Sequence, residues 1–99
     1  MPQYRKKPVV IEAFQMTKER RRDNSDWPGW LHEAWNKNHL DKGSLYPQTY
    51  PNSDGKDMLI VHTLDGNHLV NWNDFIIRGV QGELYPCKED IFNETYELV

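Results

Sequence analysis

Cysteine is almost absent from this chain: Cys87 is the only one in 99 residues. One thiol forms no internal disulfide and leaves a cysteine-built zinc site without ligands. Long apolar runs are missing as well. Nothing approaches the roughly 20 apolar residues that span a bilayer. The opening MPQYRKKPVV has no apolar core behind its basic residues, so it does not read as a secretion signal. The expectation is a protein of the cytoplasm with no membrane partner. Internal repeats and low-complexity tracts are lacking too. So are a nucleophile elbow, a glycine-rich phosphate loop and a Walker pattern. No catalytic residue is nominated, and an enzyme is disfavoured.

Histidine is present but badly spaced for metal. His32 and His39 lie seven residues apart, two turns along one helix face, where metal pairs on helices sit three or four apart. His62 and His68 fall on opposite faces of the hairpin read below. Asp54 and Asp57 flank Gly55 without the rest of a calcium loop. We expect no metal and no cofactor. Cys87 precedes a short helical stretch, yet no histidine stands near it in sequence, so it reads as packing rather than as a nucleophile.

Aromatic residues are plentiful: four Trp, five Tyr and three Phe. With 37% hydrophobic and 27% charged residues, the composition is that of a folded globular chain. Its length suits one domain over residues 1–99. A chain of this size buries roughly 60–65% of its unfolded surface, so the core is real but thin. The net charge of −3 is unevenly spread. Residues 1–22 carry seven basic side chains against two acidic ones, and the remainder five against thirteen. An acidic body disfavours broad contact with nucleic acid, although the basic amino-terminal edge could touch a phosphate backbone.

Local patterns define the elements. YRKKPVVIEAFQ is dense in β-formers and predicts a strand over Val9–Gln15. TKERRRDNS has no apolar period and reads as a solvated loop. A helix follows, with Ser25 or Asp26 as cap, Pro28 in its first turn, and Gly43 beyond its end. Trp27, Trp30, Leu31, Ala34 and Trp35 form its apolar stripe. SLYPQTYPNSDGKD is a loop with a short edge strand around Leu45–Tyr50. Asp65-Gly66 predicts a two-residue hairpin turn that sets Leu64 opposite Asn67 and His62 opposite Leu69. One face then carries Leu59, Val61, Thr63, His68, Val70 and Trp72. The other carries Met58, Ile60, His62, Leu64 and Leu69, and partly apolar faces predict cover on both sides. DFIIRGVQGELYPC is a second hairpin, with Arg78 opposite Glu83 and Ile76 opposite Tyr85. The end of the chain reads as a helical turn and then a strand over Thr95–Leu98 that pairs with the first.

Together these predict an α+β fold: a small twisted antiparallel sheet of four to six short strands, curled towards a barrel, with one main helix packed on it. Exposed edges and a partly apolar outer face favour a homodimer.

One cation stands out. Arg78 ends an apolar run beside Gly79, and its planar guanidinium suits a phosphate or carboxylate. Tyr85, Lys88 and Trp72 complete a candidate anion site at the sheet end. The plainer alternative is a cross-strand pair with Glu83, worth about 0.2–1 kcal/mol.

Two segments, YRKKPVVIEAFQ and DFIIRGVQGELYPCKEDIFNETYELV, resemble small proteins encoded by bacteriophages and prophages, which share these blocks around a variable middle. The shared residues are Tyr4, Arg5, Lys6, Lys7, Pro8, Arg78, Gly79, Tyr85, Pro86 and Cys87. That family carries a proline-glycine-aspartate turn where this chain has Trp72-Asn73-Asp74. The resemblance implies a phage accessory protein of the bacterial cytoplasm that acts by binding, either blocking a host protein or sequestering a nucleotide signal of host defence. The functional expectation is therefore a non-enzymatic binding module for a small anionic or nucleotide ligand. Its alternatives are a protein–protein inhibitor of a host factor and a nucleic-acid-binding accessory protein using Arg5–Lys7 and Arg20–Arg22.

Overall fold

The computed structural model describes residues 1–5 and 7–99 and has an α+β architecture. Among these residues there are six strands in two antiparallel three-stranded sheets. The first sheet runs β1 (Glu12–Gln15), β5 (Phe75–Arg78), β6 (Leu84–Cys87). The second runs β2 (Leu45–Pro47), β3 (Leu59–Thr63), β4 (Gly66–Val70). Neither sheet closes on itself, so the expected curl does not become a barrel.

The main helix, α2 (Gly29–Asn36), lays its stripe over the core as predicted. Trp27, Leu31 and Ala34 are buried with Leu45, Leu59 and Ile76, while Trp30 and Trp35 pack at the margin. Each fully buried aliphatic side chain contributes roughly 1.5–3 kcal/mol, so this one cluster dominates stability. Ser25 and Asp26 do not cap α2. They sit in a 3-10 turn, Asn24–Asp26, where the Asp23 carboxylate accepts the Ser25 N–H at 3.0 Å. Pro28 occupies the cap position, and its carbonyl accepts from Leu31 and His32. Gly43, at φ +82°, turns the chain into β2 rather than ending the helix.

The basic run departs from the solvated loop expected of it. It forms a short helix, α1 (Lys18–Arg22), because Thr17 Oγ1 accepts the Arg20 N–H at 3.2 Å. Arg21 is buried by an acidic partner far along the chain, which a local reading does not see.

Both hairpins form, each in a different register from the one expected. In the first, Thr63 pairs with Gly66, so the turn residues are Leu64 and Asp65. Thr63 Oγ1 ties the turn, donating to the Gly66 carbonyl at 2.9 Å and accepting the Asp65 N–H at 3.1 Å. Val61 consequently faces His68 instead of Val70. A displacement of two positions preserves facing, and Leu59, Val61, Thr63 and Val70 still share the buried side.

The second hairpin slips by one residue, which reverses facing. Arg78 pairs with Leu84 and Ile77 with Tyr85. Glu83 is drawn into the turn instead. Its carbonyl accepts the Gly79 N–H at 2.8 Å, and its carboxylate accepts the Gln81 N–H at 2.9 Å. Arg78, Ile76 and Leu84 thus share the core side, whereas Tyr85 joins Ile77 and Phe75 on the other.

The expected strand at Thr95–Leu98 is replaced by α3 (Glu89–Thr95), and among the described residues β1 pairs with β5 alone. Glu89 and Asp90 in the first turn suit the positive end of the helix dipole. Phe92 stacks on Phe75 at 3.8 Å, which fixes α3 against the outer face of the first sheet. A sharp turn precedes β5. Asn73 takes φ +73°, a left-handed conformation that asparagine tolerates better than most residues. Asp74 Oδ2 accepts the Asn71 N–H at 2.9 Å. Among the described residues no helix is long and apolar enough to cross a membrane.

Candidate functional site

The four residues singled out by sequence do not converge. Arg78 stands exposed at one end of β5, and its Nη1 donates to Glu12 Oε1 across the β1–β5 pair at 3.1 Å. Its acidic neighbour is thus Glu12 rather than Glu83. Tyr85 points to the opposite face and lies half-buried beside Tyr96. Burial, with a hydrogen bond to Tyr96, pushes its phenol up to about 12. Trp72, half-buried, and Lys88, exposed, lie at the other end of the β5–β6 ribbon, since Phe75 pairs with Cys87 there.

A ring-lined hollow lies elsewhere. A cavity of about 500 Å³ opens between the end of α2, strand β2 and the loop of residues 48–57. Three rings form one wall. His39 and Tyr50 have centroids 4.4 Å apart, Tyr46 meets His39 at 5.8 Å, and Tyr46 meets Tyr50 edge-on at 6.2 Å. Tyr46 is held on β2, and Pro47 follows it in the same strand. Trp35 contributes from α2, with the Arg21 guanidinium 5.4 Å over its ring.

A buried polar knot shapes the floor. Arg21 Nη2 donates to Asp57 Oδ1 at 2.9 Å and to Ser53 Oγ at 2.8 Å, and Nε donates to the Asp57 carbonyl at 3.0 Å. Asp57 Oδ2 accepts from the Thr49 N–H at 2.9 Å and hydroxyl at 2.7 Å. Burial alone would raise the Asp57 carboxyl. Hydrogen bonds from Ser53, Thr49 and Arg21 outweigh it and hold the group well below the usual carboxylate range. Charged Arg21 is consumed in fixing the loop that carries Tyr50. The cation available at the cavity wall is Lys37, exposed just beyond α2, whose ammonium among the described residues makes only a long 3.5 Å hydrogen bond to the Lys42 carbonyl.

Rings beside a cation equip the cavity to hold a flat anion. Among the described residues no group of three or more His, Cys, Asp or Glu side chains is arranged to hold a metal ion. Sequence reasoning missed Lys37, His39, Tyr46 and Tyr50. For the two tyrosines the available signal was two of the chain's three Tyr-Pro dipeptides, 46–47 and 50–51, which put rings on stiff backbone. Compared with known proteins, the chain matches no family model, no curated protein and no solved structure.

Proposed function

We propose that this protein is a non-enzymatic binding module for a small anionic ligand with a flat ring, a nucleotide being the simplest case. The observation behind this reading is the ring-lined cavity with Lys37 at its edge. A base stacked on an aromatic side chain gains about 1–3 kcal/mol, and a lysine ammonium serves a phosphate as a point charge. Such a module suits a phage accessory protein that sequesters a nucleotide signal of host defence in the bacterial cytoplasm, the role the sequence resemblance implies. The experiment is a thermal-shift and equilibrium-dialysis screen against nucleotides and cyclic nucleotides, repeated on Tyr50→Ala and Lys37→Ala. Binding by the parent chain, weakened in both variants, is the expected result. Unchanged melting with every ligand overturns the reading.

A second reading is a protein–protein inhibitor acting on a host factor, or a homodimer. It is favoured by a groove of about 410 Å³ lined by Val9, Val10, Phe92 and Leu98, three of which are exposed. Among the described residues β1 also leaves one edge unpaired. A host protein retained at one-to-one stoichiometry and lost with Val10→Asp supports the inhibitor, whereas concentration-dependent sedimentation of the chain alone supports the dimer. The nucleic-acid reading is the weakest, because Arg20 donates inward to the Gln15 carbonyl and Arg21 to Asp57.

A further inference from the structure

Lys37 borders more than the ring-lined cavity. On its other side lie two smaller clefts of about 190 and 200 Å³, which share Lys37, Gly43, Gly82 and Leu84 as walls. One cleft adds Arg78, and the other adds Lys42 and His62. The chain therefore gathers three cations, Lys37 and Lys42 from the connection between α2 and β2 and Arg78 from β5, around hollows that share Lys37 with the ring site.

The lining leaves these cations usable. Arg78 spends one donor on Glu12, in a pair whose side chains are 43% and 60% exposed, so water screens it strongly. Its other N–H groups make no hydrogen bond among the described residues. Two carboxylates border the clefts, Glu33 and Glu83. Glu83 turns back to cap the Gln81 N–H. Gly43 and Gly82 both take positive φ and present no side chain, and nothing lies within 4 Å of where a Cβ of Gly82 would stand. His62 also lines the second cleft, and its Nδ1 is buried with no hydrogen-bond partner among the described residues, a condition that an ordered water ordinarily relieves.

We infer that the clefts bordered by Lys37, Lys42 and Arg78 form a second anion subsite, so that the ligand is a nucleoside 5′-polyphosphate rather than a monophosphate. The inference rests on the proposed ring-binding site. Lys37, common to all three hollows, takes the phosphate nearest the sugar, and Lys42 and Arg78 take those further out.

Isothermal titration with one nucleoside's mono-, di- and triphosphate, and separately with inorganic tripolyphosphate, tests this at fixed ionic strength. The triphosphate should bind at least about tenfold tighter than the monophosphate, the factor that about 1.4 kcal/mol supplies. Arg78→Gln and Lys42→Gln should erase most of that difference and leave the monophosphate unaffected. Lys88→Gln, outside the clefts, should change nothing, and equal urea midpoints establish that all variants are folded. Equal affinity for mono- and triphosphate, or an effect of Lys88→Gln as large as that of Arg78→Gln, overturns the subsite while leaving the ring site standing. Tripolyphosphate binding that needs Arg78 and Lys42, with no gain from an attached nucleoside, supports the subsite and overturns the ring site. No binding of any of these ligands overturns both.

Discussion

Arg21 and Asp57, 36 residues apart in the chain, meet at 2.9 Å with side chains only 7% and 10% exposed. They join α1 to the far end of the loop that carries Tyr50, and so hold the candidate site open from beneath. A buried pair of this kind is a poor source of net stability but is costly to break, because the survivor stays buried and unpaired.

Replacing Arg21 with Met should therefore destabilise the chain by about 3–5 kcal/mol, read from urea unfolding. Asp57→Asn should cost a similar amount while keeping the shape. The pH dependence separates charge from packing. Asp57 has a depressed carboxyl in the folded state, so its contribution is present above the ordinary carboxylate value of about 4 and is lost as pH falls below it. The parent chain should lose stability on that acid limb, and Asp57→Asn should show a shallower one. Identical slopes would show that the pair carries no charge-dependent stability.

The Gly79 turn depends on the absence of a side chain. A Cβ at that position would collide with the Glu83 carboxylate, which folds back over the turn. Gly79→Ala should cost about 1 kcal/mol, and the Gly79→Ala/Glu83→Ala pair should cost less than the two single changes together, with a coupling of at least about 0.5 kcal/mol. Strict additivity in a double-mutant cycle would mean that Glu83 moves aside freely and does not set the register.

Tyr85 gives the chain an alkaline limb. Its phenol titrates near 10 when unfolded and near 12 in the fold, through burial and its bond to Tyr96. The stabilisation is complete below the unfolded value and is lost as pH rises from 10 through 12. Denaturation midpoints across that range should fall for the parent chain and stay flatter for Tyr85→Phe.

Asn73 holds a left-handed conformation at the turn into β5. Asn73→Gly should leave stability within about 0.5 kcal/mol, because the easier backbone geometry is offset by a freer unfolded chain. Asn73→Val should lose about 1–2 kcal/mol, since a β-branched side chain crowds the left-handed region. Equal thermal midpoints for the two variants would show that this turn does not require its unusual φ.

Much of the fold was legible because the relevant signals are local. Trp27, Leu31 and Ala34 recur at helical spacing, and they are buried as that spacing demands. Alternation through Leu59, Val61 and Val70 identified a strand pair and grouped these three on one face even though the turn falls one residue early, whereas the cover expected on the opposite face is partial, with Leu64 exposed. What failed was whatever depends on one hydrogen bond. Glu83 belongs to a turn instead of a strand because its carboxylate reaches the Gln81 N–H. That single choice sends Arg78 and Tyr85 to opposite faces and dissolves the cluster expected around them. The candidate site was illegible for a related reason. Lys37, His39, Tyr46 and Tyr50 sit where periodicity is weak, and only folding brings them together.

By itself the sequence determined an α+β class, one principal helix with its buried stripe, and two β-hairpins. Each of these follows from apolar spacing and turn chemistry within a dozen or so residues. Tertiary structure alone decided which cation is buried, which is paired at the surface and which stands open beside the rings. Arg21, Arg78 and Lys37 carry the same charge and differ only in the partner that distant chain brings to them: Asp57, Glu12, or a hollow walled by His39 and Tyr50. Burial and electrostatic pairing are sums over neighbours in space, and a linear reading holds only the neighbours in sequence.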